Sequence, residues 1–384
     1  MIRRLEENLE HAAMPHISLM ENGLELSIDG DIAYFNYFWL RDNCSTSWDS
    51  STQERVFNIL AEPDDLRPQC AQLNGSQLEI SWYNGHRSCY DLRWLERWHR
   101  GEKHGDIAIR TRKPWCSDHY SSMARFHYAD IAENPASVAN WAEAMLDEGI
   151  ALVQGMPDTD EALYSVCELF GRVRPSFSGY VFDVFSKENP ENLAYTSNAL
   201  ELHTDLPPEE LAPGIQFLHC RINNAVGGDS LFVDATAVAN AFREKYPNDF
   251  SILTEYKTAF RYTTENQDVR AKQRIIELDP NNGEVSGINF SQHLADVFDF
   301  TQREMDDFYP AFRRFGLMLQ EHQYLMTFRL HAGECVVFDN HRIAHGRAAY
   351  QEGSGARHLR GCYVDRGELR STYRVLRARH PVNN

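Results

Sequence analysis

The sequence predicts a mainly β protein with flanking helices, organised as a small N-terminal β domain (1–112) and a larger domain (120–384) in which strands and helices alternate. Three observations carry this reading. The first hundred residues hold short strand-like runs split by Asn-Gly and Asp-Gly turn pairs, with almost no helical periodicity. A basic, proline-containing stretch from Arg110 to Pro114 then breaks the pattern and sets a boundary near 110–125. Beyond it, segments of helical spacing and apolar runs follow one another. A length of 384 residues suits two domains at roughly 150 residues each.

In chain order, GLELSI (23–28), AYFNYFWL (33–40) and QLEISWY (77–83) read as strands between turn signals. ASVANWAEAMLDEG (136–149) repeats its apolar residues at helical spacing, IALVQGM (150–156) is an apolar strand, and DEALYSVCELFG (160–171) is a second helix. From 190 onward, GIQFLHC (214–220), RIIEL (274–278), ECVVFD (334–339) and RGCYVD (360–365) read as strands, with helices near 236–247 and 302–321. There is no internal repeat and no low-complexity segment.

Apolar residues make up 42% and charged residues 24%, a globular balance that sets aside fibrous and disordered classes. The net charge, 38 − 56 = −18, disfavours nucleic acid, whose phosphates need a basic face, and is more compatible with a cationic small molecule. No apolar run approaches the roughly 18 residues of a spanning helix, and MIRRLEENLEHAAMPH lacks the apolar stretch of a signal peptide. No membrane partner and a cytoplasmic location are therefore expected. Eight cysteines, at 44, 70, 89, 116, 167, 220, 335 and 362, form no Cys-x-x-Cys pair and read mostly as reduced, buried thiols.

The chemistry centres on His203-Thr204-Asp205 and the later His345 in FDNHRIAHGR. On a strand edge, residues i and i+2 share a face, so His203 and Asp205 point the same way. A distant third histidine completes a facial triad of two histidines and one carboxylate, which binds Fe(II) through one face and leaves positions open for a co-substrate and O₂. A second His-x-Asp, His104-Gly105-Asp106, sits in the polar run RGEKHGDIAIRTR and reads as a solvated loop. Arg357 lies twelve residues past His345, where its fork can anchor the far carboxylate of 2-oxoglutarate.

The segments WLRDNC (39–44), AYTSNALELHTDLPPEELAPGIQFLHC (194–220), GGDSLFVD (227–234), FDNHRIAHGR (338–347) and RHLRGCYVDRGELRS (357–371) resemble the gamma-butyrobetaine hydroxylase family of taurine-dioxygenase-like Fe(II)/2-oxoglutarate oxygenases, over nearly the whole chain. The resemblance implies a double-stranded β-helix (jelly-roll) catalytic domain behind the small β domain, in a homodimer. It implies His203, Asp205 and His345 as iron ligands and Arg357 as partner of the 2-oxoglutarate C5 carboxylate, with Ser230 nearby. Asn192 and Asn289 match positions that hydrogen-bond the substrate's acid group or the co-substrate. Fe(II) as cofactor, with 2-oxoglutarate and O₂ as co-substrates, would hydroxylate an aliphatic C–H bond; for gamma-butyrobetaine the product is L-carnitine.

A quaternary ammonium has no hydrogen to donate, so it is held by π faces and dispersion. Tyr195, Tyr363 and Phe182 match the family's aromatic cage. The fourth position is Ser178 instead of an aromatic, leaving Tyr180 or Phe177 to compensate. The family's structural zinc uses Cys-x-Cys-x-x-Cys and a later histidine; the corresponding run is Cys44-Ser45-Thr46-Ser47-Trp48-Asp49, so Cys44 and His86 alone match, with Asp49 a possible third ligand. A domain without zinc is expected. Three alternatives stay open: the same chemistry on trimethyllysine or a trimethylaminoalkyl phosphonate, a non-catalytic ligand-binding role, and a three-histidine thiol dioxygenase, against which His-x-Asp in place of His-x-His speaks.

Overall fold

A computed structural model describes residues 16–28, 30–101, 105–185 and 195–381. The chain divides into two compact units, the first ending at Asp106 and the second beginning at Ile107.

The first unit contains two three-stranded antiparallel sheets. One runs through Ile17–Leu19, Gly23–Ile28 and Asp31–Asn36, the other through Pro68–Asn74, Gln77–Trp82 and Arg87–Asp91. In Gln77–Trp82 every second residue, Leu78, Ile80 and Trp82, is fully buried, as a half-buried strand requires. The strand expected over 33–40 stops at Asn36 and gives way to a helix, Tyr37–Asp42. The Asn36 side chain accepts a hydrogen bond from the Trp39 amide, so a cap competes with the strand ladder and wins. A second short helix, Leu92–His99, is capped in the same way by Asp91, so this unit holds more helix than its periodicity suggested. Cys44 Sγ lies 3.6 Å from His86 Nε2, with the Thr46 hydroxyl between them at 3.2 and 3.3 Å. The Asp49 carboxylate is turned instead onto the amides of Ser51 and Thr52.

The second unit is built on a jelly roll of two sheets, with two further two-stranded ribbons, Lys257–Thr263 with Asp268–Arg274 and Ile276–Leu278 with Val285–Ile288. The larger runs in the order Phe182–Val184, Arg357–Val364, Ile215–Asn223, Cys335–Asp339, Ile150–Gln154, Arg125–His127, with Val173–Arg174 also paired to Arg357–Val364. The smaller runs Leu200–His203, Ile343–Arg347, Ser230–Asp234, Met326–Phe328. Leu218, Val336 and Leu359 of the larger sheet share one core cluster with Phe232, Ile343 and Met326 of the smaller. The alternate residues of the larger sheet, Ile215, Phe217, Val337 and Cys362, pack with residues of the helices Pro135–Glu148, Asp160–Glu168 and Arg366–Arg379. That is why its central strands read as unbroken apolar runs. Helices Ala235–Lys245, Pro247–Glu255 and Gln302–Leu319 contribute to another cluster with Val233 and Ala344 of the smaller sheet. The last of these opens with a capping box between Thr301 and Glu304 and buries Phe308, Phe312 and Phe315 along one stripe.

Arg342, which precedes the strand carrying His345, is fully buried against Asp234, with Nη2 to Oδ2 at 2.7 Å and further bonds to the carbonyls of Asp147 and Lys113. Asp234 in turn caps Ala235–Lys245. Removing one partner leaves the other charge buried and alone, so Arg342→Met is expected to destabilise the second unit by roughly 3–5 kcal/mol. Its urea midpoint should fall accordingly, with an unchanged slope.

Candidate active site

His203 ends Leu200–His203 and pairs directly opposite His345 on Ile343–Arg347. Antiparallel pairing thus brings together residues more than a hundred positions apart, their ring centroids 4.3 Å apart. Asp205 follows two residues on. Its Oδ1 lies 3.1 Å from His203 Nε2 and 3.7 Å from His345 Nε2. One ligand atom from each of the three residues lies within 4.8 Å of the others. His203 Nδ1 sits 2.8 Å from the Glu201 carbonyl; a carbonyl only accepts, so Nδ1 donates, and this fixes the ring with Nε2 turned toward Asp205.

The chain around Asp205 is clamped. Asn340 accepts from the Asp205 amide at 2.6 Å and donates to the carbonyls of Asp205 and Pro213 at 2.9 and 3.0 Å. This holds a sharp turn in which Leu206 takes φ +59°, a left-handed conformation unusual for a leucine. Burial alone would raise the Asp205 carboxyl, but His345, His203 and the Tyr363 hydroxyl outweigh it and keep the group ionised. Burial, aided by His203, pushes His345 down to about 3, so its imidazole is neutral. A neutral imidazole beside an ionised carboxylate is the state a divalent metal needs, and two nitrogens with one oxygen fit Fe(II).

The triad opens into a cavity whose wall includes Arg357, Ser230, Tyr195, Phe182 and Tyr363. Arg357 is buried, and its Nε has no hydrogen-bond partner among the described residues. Burial and the neighbouring Arg347 lower it to about 10, which still leaves a cation. Gly228, at φ +76°, lies against this guanidinium; a β-carbon there would press on Arg357 Cδ and Nε at 3.3 Å. A buried cation with an unsatisfied N–H at the cavity wall is what a carboxylate-bearing co-substrate requires. Phe182 stacks on Tyr363 with centroids 5.2 Å apart. Gly361, paired with Phe182 across the strands, makes the room, since a β-carbon at 361 would run into the Phe182 ring.

Two expected contacts fall elsewhere. Tyr180 is 59% exposed and is not among the described residues lining the cavity; Phe177, stacked on Tyr262 at 4.1 Å, and Ser178 line it instead. Asn289 is also absent from that wall, because its amide is spent on the Arg274 carbonyl at 3.0 Å, tying down Ile276–Leu278 and Val285–Ile288. Asn192 lies outside the described residues.

The structure adds residues that the sequence reading missed. Gln216, fully buried, lines the cavity opposite Tyr363 in register; a polar residue within the apolar run Ile215–Leu218 was its available signal. Arg347, two residues past His345 and so on the same face, lines the cavity and donates to the carbonyls of Thr196 and Asn198 at 2.7 and 2.6 Å. It thereby ties down the segment that follows Tyr195. His293 meets His203 edge-on at 4.7 Å from a short turn, Gln292–Leu294, with no periodic signal.

A jelly roll with two histidines and a carboxylate at its mouth and a buried arginine in the same cavity defines an Fe(II)/2-oxoglutarate-dependent oxygenase. The chain belongs to the family described as "Taurine catabolism dioxygenase TauD, TfdA family", whose model matches residues 113–363. It is similar to gamma-butyrobetaine dioxygenase of Pseudomonas sp. (strain AK-1), 36% identical over 355 residues that cover 91% of this chain and 92% of the relative. It is also similar to the mitochondrial trimethyllysine dioxygenase of Mus musculus, 27% identical over 366 residues covering 93% and 86%. Among solved structures, "AAD-2 in complex with Mn(II) and N-oxalylglycine" shares the fold with a TM-score of 0.50 at 17% identity, covering 60% of this chain and 89% of that one.

Proposed function

We propose that the second unit hydroxylates a trimethylammonium substrate, gamma-butyrobetaine, to L-carnitine, with His203, Asp205 and His345 holding Fe(II). The observation that carries this is one cavity joining the triad, a buried arginine and an aromatic wall. The name of the Pseudomonas relative supports the choice of substrate. Fe(II), when bound with 2-oxoglutarate, supplies the oxygen activation that no side chain here can provide. Arg357 grips the far carboxylate of the co-substrate with its fork, and Ser230 lines the same space. Tyr195, Phe182, Phe177 and Tyr363 offer π faces to the ammonium. Leu206, Leu218 and Phe232 add apolar surface to the wall, which favours the exclusion of water. Selectivity then comes from distance, one C–H bond being held beside the metal by a cation fixed at the other end.

Ser178 in the wall favours a second reading, in which a wider cage takes trimethyllysine. Incubation with Fe(II), ascorbate and 2-oxoglutarate, adding each amine separately, distinguishes them. Succinate together with singly oxygenated gamma-butyrobetaine is expected. Oxygenation of trimethyllysine alone would move the function to that substrate, and succinate without either product would remove both. A homodimer in the cytoplasm belongs to the same proposal, supported by the family resemblance; light scattering on the purified protein tests the dimer.

A further inference from the structure

Tyr363 lies at two sites at once. It sits on Arg357–Val364 of the larger sheet, its ring in the cavity wall and stacked on Phe182. Its hydroxyl reaches across to Asp205, which follows a strand of the smaller sheet, and donates to Oδ2 at 2.7 Å. The Nε2 atoms of His203 and His345 lie at 3.1 and 3.7 Å from the other oxygen, Oδ1. The two carboxylate oxygens are therefore divided, one turned to the imidazoles and one taken by the phenol.

A carboxylate with both oxygens free turns about its Cβ–Cγ bond, which would take Oδ1 away from the two imidazole nitrogens with which it must share a metal. The Asn340 clamp fixes the backbone of Asp205 but not this rotation. We propose that Tyr363 is a positioning residue linking the two ends of the cavity: its hydroxyl holds Asp205 as a one-oxygen metal ligand while its ring forms part of the ammonium wall. The ring half rests on the function proposed above; the hydroxyl half does not.

Tyr363→Phe separates the two, because it keeps the ring and removes one oxygen atom. Mn(II) titration of the metal-stripped protein should show affinity lowered about ten- to a hundredfold, the usual cost of losing a partner behind a metal ligand. KM for gamma-butyrobetaine should stay close to wild type, while more 2-oxoglutarate is consumed per amine hydroxylated. Phe182→Leu should do the reverse, raising KM for the amine and leaving Mn(II) affinity unchanged. Wild-type Mn(II) affinity in Tyr363→Phe would overturn the hydroxyl role. Any marked loss of Mn(II) affinity in Phe182→Leu, which keeps the hydroxyl, would reduce it to general loosening of the wall, and this result would overturn the proposal even if Tyr363→Phe fails to fold. The Mn(II) arm needs no amine, so a wild-type protein that hydroxylates no trimethylammonium compound sinks the substrate reading and the ring half alone.

Discussion

His345→Ala is expected to abolish turnover and to weaken Fe(II) binding by more than about a hundredfold, since losing one of three ligands must exceed the ten- to hundredfold typical of a supporting partner. The strand itself should survive. His345 is flanked in register by His203 and Phe232, its backbone ladder does not depend on the side chain, and the imidazole is buried in its neutral form. The variant should thus unfold near the wild-type temperature while failing to bind metal in equilibrium dialysis. Retained metal binding and turnover would remove the triad assignment.

Arg357→Gln is expected to raise KM for 2-oxoglutarate by roughly two to four decades, since breaking a buried charge pair costs about 3–5 kcal/mol and each 1.36 kcal/mol is a factor of ten. KM for the amine should change little, because Arg357 and the stacked Phe182 and Tyr363 are separate parts of the wall. Arg357→Lys should recover only part of the loss, its point charge lacking the fork. Steady-state kinetics with each substrate varied in turn reads this split, and an unchanged 2-oxoglutarate requirement in Arg357→Gln would refute the anchoring role.

The legible parts of this site were those written in short spacings. His203-x-Asp205 and the distant His345 stand out as a set, although the strand stops at His203 and a bend carries Asp205, and Ile343–Arg347, the strand that brings His345 opposite, has no signal among the predicted strands. The helices with caps and long apolar stripes, such as Gln302–Leu319, were read to within two residues. What escaped depends on contacts between distant segments. Nothing local says that Asn340 clasps the backbone of Asp205, or that a cavity-lining tyrosine donates to a metal ligand. Likewise Tyr180 and Phe177 are equivalent as letters, and only the turn around Gly179, at φ +99°, leaves Phe177 on the cavity wall while Tyr180 faces solvent. The helix Tyr37–Asp42 was hidden because its residues are good strand formers, overruled by one capping asparagine.

In the proposed reaction the triad and Arg357 bring one O₂ molecule to bear on both 2-oxoglutarate and a trimethylammonium substrate. The most direct test is a single incubation of the wild-type protein with Fe(II), 2-oxoglutarate and gamma-butyrobetaine under ¹⁸O₂ in unlabelled water, weighing both products by mass spectrometry. One heavy oxygen in succinate and one in the hydroxylated amine, in equal amounts, is the predicted result. Labelled succinate with an untouched amine, or no label in either product, would contradict it.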